Sequence, residues 1–348
     1  MICKTDLWLL ARTILGPAFG SSKIYFSNTR AQTDINLPSV FVYNNLMQMY
    51  STLPSSLKIG VIRGGHDPEY DLSLKTGHNV LNALRETHNP FDIFISKNGT
   101  WHINGIERSP ERILKNIDVA FNALHGNFGE DGLVQEILDT HGVRYTGSGR
   151  YPSALSISKH ITKNHITPFN IKTPVHALVK SGENVISKAK EIWNSMIHPF
   201  AVKPSKGGSA FGFAVVHNFD DFFSAVDYLL QSHDSVIVEE FIPGTSVSCL
   251  VTENFRGKDI YSFPTSRPIN REDADVVEDY AKQVHKILGL SHYSQSDFIV
   301  SPKRGVYFLE VNSLPKLNNN SLAVKAVESV GVNTKDFVHH LLRLSLND

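Results

Sequence analysis

Cysteine is nearly absent: Cys3 and Cys249 are the two in 348 residues. They lie far apart and lack metal-ligand spacing, which excludes a disulfide scaffold and a cysteine-held zinc site. A reducing, cytoplasmic setting is therefore expected. Net charge is missing too, because 34 basic side chains offset 34 acidic ones. Without a dense cationic field there is no case for nucleic acid as a partner. Long apolar runs are also lacking. Residues 7–19 come nearest, but Arg12 and Pro17 interrupt them and the run is too short to span a bilayer or to read as a signal. No membrane partner is expected, and residues 1–55 read as an extension with no assigned structure. Neither internal repeats nor low-complexity linkers occur.

What remains has the composition of an ordinary globular enzyme, 41% apolar and 20% charged, long enough for two or three packed units at about 100 to 200 residues each. From residue 58 the pattern becomes orderly. Residues 58–62 form an apolar run ending in Arg63-Gly64-Gly65, and residues 72–84 carry helix-period apolar spacing. Residues 118–124 repeat the theme, followed by His125-Gly126 and a helix over 131–138. Strands alternating with helices predict a parallel sheet, with ligands at the carboxyl ends of its strands.

Beyond residue 162 the alternation loosens and a second unit begins. It has strands at 173–179, 200–203, 213–216, 235–241 and 246–251, and helices at 185–193 and 274–288. A closing hairpin pairs 297–300 with 306–312 around Pro302-Lys303-Arg304-Gly305. That hairpin can project Asp297, Glu310 and Asn312 to one face, because residues two apart on a strand share a side. Three oxygen ligands on rigid strands suit a hard ion such as magnesium, although the same spacing also suits a solvated polar face. The turn from Lys206 to Gly212 offers unobstructed backbone N–H groups for a polyphosphate, and Lys203 precedes it. It is not a Walker loop, since no Gly-Lys-Ser/Thr follows. His125 alone is more often a satisfied structural histidine than a catalytic one.

In order, these segments resemble the D-alanine-D-alanine ligases of the ATP-grasp superfamily from about residue 58 to residue 342. Gly64-Gly65-His66-Asp67-Pro68-Glu69 resembles the family's first glycine motif, and Ala123-Leu124-His125-Gly126-Asn127-Phe128-Gly129-Glu130-Asp131-Gly132 its second. Ser153-Ala154-Leu155-Ser156-Ile157-Ser158-Lys159, Lys203-Pro204-Ser205, Gly208-Ser209 and Val238-Glu239-Glu240-Phe241-Ile242 resemble its nucleotide-binding segments, and Leu309-Glu310-Val311-Asn312-Ser313-Leu314-Pro315 its magnesium signature.

The resemblance implies an α/β fold: a parallel-sheet domain over 56–150 followed by an ATP-grasp domain over 151–348, itself divided into 151–240 and 241–348. It implies catalytic roles for Glu69, His125, Ser209 and Ser321, with Glu69 holding the first D-alanine's ammonium. ATP contacts fall on Lys159, Lys203, Gly208, Ser209, Glu239, Glu240 and Ile242, and two magnesium ions, or manganese, on Asp297, Glu310 and Asn312. The implied reaction joins two D-alanines through an acyl phosphate for peptidoglycan, in an enzyme that forms homodimers.

Several positions depart from the family. Gln295 stands where an arginine stabilises the oxyanion. The loop over 264–272 is much shorter than usual, Lys316 replaces a glycine, Ser246 replaces an acidic ribose contact, and Asn318-Asn319-Asn320 replaces a threonine-containing run. These changes keep two other readings open: a ligase for another acid-amine pair, and a nucleotide-binding protein with little ligase activity.

Overall fold

The computed structural model describes residues 53–207 and 212–347. Three sheets organise them. The first comprises β1 (Ile59–Gly64), β2 (Phe91–Ile95), β3 (Trp101–Ile103), β4 (Ile106–Glu107), β5 (Val119–Asn122) and β6 (Arg144–Tyr145) in the order β4-β3-β2-β1-β5-β6. Its helices are α1 (Tyr70–Arg85), α2 (Pro110–Leu114) and α3 (Leu133–Thr140). β1 is parallel to β2 and β5, and β5 to β6, as strand-helix alternation predicts. At one edge the sheet continues differently, with β2, β3 and β4 running antiparallel. Gly99, at φ 82°, lies in the turn from β2 to β3, and Asn104-Gly105, at 49° and 82°, make the turn from β3 to β4, so both connections suit hairpins. β1 is almost wholly buried, so its side chains read as a continuous apolar run rather than an alternation.

Two helices follow, α4 (Arg150–Ser156) and α5 (Lys159–Ile166). The second sheet is antiparallel, β7 (His176–Lys180), β8 (Phe200–Pro204), β9 (Ala214–Val216) and β10 (Ser235–Glu240) in the order β7-β10-β8-β9. The helices α6 (Val185–Ser195) and α7 (Phe219–Leu230) share its core through Ile192, Phe222 and Val226.

The third sheet is antiparallel as well: β11 (Thr245–Phe255), β12 (Lys258–Ser262), β13 (Tyr293–Ser301) and β14 (Gly305–Asn312), ordered β12-β11-β13-β14. α8 (Arg271–Ile287) packs on it through Val277, Ala281 and Val284, which share a core with Phe298 and Phe308. α9 (Leu322–Ser329) and α10 (Thr334–Asn347) complete the chain, and α10 also lies against α1. The expected hairpin is present, but β13 starts four residues earlier than its polar pattern suggests, at Tyr293, because Tyr293 itself is core. No helix among the described residues is long and apolar enough to cross a membrane.

Candidate active site

The strands β13 and β14 decide where the polar side chains go. Their register sets Gln295 opposite Asn312 and Asp297 opposite Glu310, so all four share one face. The register shifts between Asp297 and Phe298, which lets Phe298 and Phe308 meet in the core at a ring separation of 5.8 Å. The polar face forms one wall of a cavity of about 420 Å³. Glu130, Ser156, Lys159 and Gly207 line it from one direction, and Lys316, Asn318 and Ser321 from another.

Burial and the charge of Glu310 push the Asp297 carboxyl up to about 6. Glu310 feels the same burial, yet it ends below the usual carboxylate range because Lys159 and Lys203 face it. Lys159 Nζ lies 3.4 Å and Lys203 Nζ 3.8 Å from Glu310 Oε2. Lys159 also donates to the carbonyl of Gly207. Behind this pair, buried Glu239 takes Lys203 Nζ and Lys163 Nζ at 3.1 Å each. Lys163 is fully buried, and desolvation lowers it to about 8 although Glu239 pulls the other way.

Two half-buried carboxylates and an amide oxygen suit a hard cation, which would offset both the desolvation that raises Asp297 and the smaller contribution from the charge of Glu310. Among the described residues no three His, Cys, Asp or Glu side chains gather to hold a metal. A cation here therefore depends on Asn312 and on ligand oxygens to complete its shell. Asn312 Oδ1 already accepts from Leu314 N at 2.7 Å, and Gln295 Nε2 donates to Asp297 Oδ1 at 3.3 Å.

Glu69 occupies the N-cap of α1 without capping it. Its carboxylate is instead paired with Lys316, Nζ to Oε1 3.3 Å. His125 is buried; its Nε2 lies 2.8 Å from Thr76 Oγ1 and its Nδ1 3.5 Å from Glu130 Oε1. Burial raises Glu130, with His125 opposing. Glu130 is thus on the cavity wall with His125 behind it. Ser321 caps α9 by accepting from Val324 N at 3.2 Å and faces the cavity. Glu240 is paired with Arg304, and Ile242 is buried. Gly208 and Ser209 lie outside the described residues.

The structure therefore brings Lys159, Lys203, Glu239, Asp297, Glu310 and Asn312 into one cluster. Sequence reasoning missed Lys163, whose signal was a lysine one helical turn after Lys159. The short loop runs between β12 and α8 and is fastened to β11: Ser266 N donates to Ser248 O at 2.9 Å, and Ser248 N to Ser266 Oγ at 2.8 Å.

Comparisons with known proteins bear on this arrangement. The family "D-ala D-ala ligase C-terminus" matches residues 168–263 and 258–343, and "D-ala D-ala ligase N-terminus" matches 104–148. D-alanine-D-alanine ligase B of Clostridium perfringens is 31% identical, over 84% of this chain and 99% of its own length. The chain belongs to the D-alanine-D-alanine ligase family. It is an ATP-dependent carboxylate-amine ligase. The ligase of Azobacteroides pseudotrichonymphae is 26% identical over 82% of this chain and 98% of its own. Among solved structures, the D-alanine-D-alanine ligase of Coxiella burnetii superimposes with a TM-score of 0.76 at 21% identity, over 84% of this chain and 95% of that one. The VanG D-Ala:D-Ser ligase of Enterococcus faecalis gives 0.75 at 23%, over 83% and 99%. Those likenesses show that this chain shares the fold of these ligases.

Proposed function

We propose that this ligase joins two D-alanine molecules at the expense of ATP, supplying a dipeptide for peptidoglycan precursors in the cytoplasm. The observation that carries the reading is the single cavity on which Asp297, Glu310, Asn312 and Lys159 converge. Asp297, Glu310 and Asn312 would hold magnesium, two ions or manganese in their place, which would neutralise phosphate charge. Lys159 and Lys203 bind the ATP phosphates, their positions fixed by Glu310 and Glu239. The base and its linker belong to Glu239, Glu240 and Ile242. Gly208 and Ser209 close over the phosphates. In support of this assignment, two ammonium donors beside a triphosphate supply what phosphoryl transfer needs, which is positioning and charge neutralisation.

Glu69 takes the ammonium of the first D-alanine, with His125 steadying Glu130 beside it. The carboxylate oxygen of that D-alanine attacks the γ-phosphorus and ADP departs, leaving an acyl phosphate. The amine of the second D-alanine then attacks the acyl carbon, phosphate leaves, and the amine proton is lost. Ser321, at the N-terminus of α9, serves the second D-alanine, supported by the affinity of helix N-termini for carboxylates. Water has to be kept out because it competes for the acyl phosphate. The division of the chain at residues 56, 151 and 241 is part of the same proposal.

A second reading, binding of nucleotide with little ligation, is favoured by Gln295, which brings no charge to the oxyanion and is spent on Asp297. ADP release with magnesium, measured with D-alanine against L-alanine and with the product weighed, separates the two. D-specific release with dipeptide upholds the ligase; ATP binding without product sinks it.

A further inference from the structure

Glu69 already has a cation. Its side chain is only 9% exposed, and Lys316 Nζ stands 3.3 Å from Oε1. The lysine side chain is 29% exposed and faces the cavity. Its backbone is fixed: Leu317, next in sequence, is fully buried, and its carbonyl accepts from Asn79 Nδ2 at 3.0 Å. The nearby titratable groups are Glu130, which faces the cavity, and His125 behind it. None is a second cation already bound to Glu69. An amino acid presenting its ammonium to Glu69 must displace Lys316 or sit beside it against like-charge repulsion.

We propose that Lys316 is a specificity-determining residue of the first amino-acid subsite, a tethered ammonium that competes with the substrate's ammonium for Glu69. The inference rests on the assignment of Glu69 to the first D-alanine. A tethered competitor acts at an effective concentration on the order of millimolar, whatever the bulk solution contains. The enzyme consequently needs more D-alanine to fill this subsite than Glu69 alone demands. An acid of the same skeleton without the ammonium meets no such competition.

The test uses the full chain with magnesium and an ATP analogue that cannot transfer its γ-phosphate. Calorimetry measures D-alanine and D-2-hydroxypropionate binding to wild type, Lys316→Gly, Lys316→Met and Lys316→Arg. Removing the charge, by glycine or by methionine, tightens D-alanine at least tenfold and changes the hydroxy acid less than twofold. Arginine retains the wild-type value. D-alanine affinity within twofold of wild type in both uncharged variants overturns the proposal. So does equal tightening of both ligands, which marks a steric effect, and so does an absence of D-alanine binding in every protein. ADP release is followed in parallel with ATP: no turnover by any of the proteins refutes the ligase reading, while the binding series still decides the role of Lys316.

Discussion

Gln295 faces the cavity from the same side of β13 as Asp297 and gives its amide to that carboxylate at 3.3 Å. A neutral donor already engaged by an anion contributes little to a developing oxyanion, and losing a preorganised donor typically costs about 10²- to 10³-fold in rate. Gln295→Arg is therefore expected to raise kcat by about that factor while half-saturating ATP stays within twofold. Steady-state kinetics check it. If kcat stays flat, the limitation belongs to the short loop fastened at Ser248 and Ser266.

α10 shows how an element sets pH dependence. It buries His340 between the rings of Phe255 and Phe337, with Nε2 2.9 Å from the Glu253 carbonyl. Burial pushes this imidazole down to about 4, the Glu253 bond opposing and Arg343 and His292 assisting. The unfolded chain binds this proton near pH 6.5, so the stability due to neutral His340 is complete above about pH 6.5 and lost as the pH falls toward 4. The loss amounts to about 3 kcal/mol at about 1.4 kcal/mol per unit. Urea midpoints at pH 7 and pH 5 should differ less in His340→Gln than in wild type; an unchanged difference would move the effect to another group.

At this same scale the strand-helix order of β1, α1, β5 and α3 was legible, because apolar period and glycine punctuation report it directly. The β3-β4 hairpin was not, although Asn104-Gly105 signals it: those strands are too short, at three and two residues, to show a period. Likewise the polar face of β13 and β14 could be read from alternation. The membership of Lys163 in that cluster could not, since a lysine on a helix is normally a solvated one.

For the whole molecule, ligand binding should appear as stability. On the proposed assignment magnesium and ATP would bind only where Lys159, Lys203, Asp297 and Glu310 are assembled, and that assembly exists only in the folded chain. At about a hundred times its Kd, nucleotide adds about 2.7 kcal/mol. Thermal unfolding should shift upward with ATP and magnesium together, and Glu310→Ala should abolish most of that shift. A shift that survives Glu310→Ala would remove the hairpin from the nucleotide site.

The sequence by itself determined the family, through ordered motifs spanning most of the chain, and the one face shared by Asp297, Glu310 and Asn312, through the two-residue repeat of a strand. Both are local properties of covalent order. Only the tertiary structure decided that Glu130 stands before His125, that Glu239 is shared between two lysines, and that Lys316 reaches Glu69 across 247 residues of chain. Such contacts join residues brought together by the packing of separate elements, and no spacing along the chain encodes which side chain will arrive there.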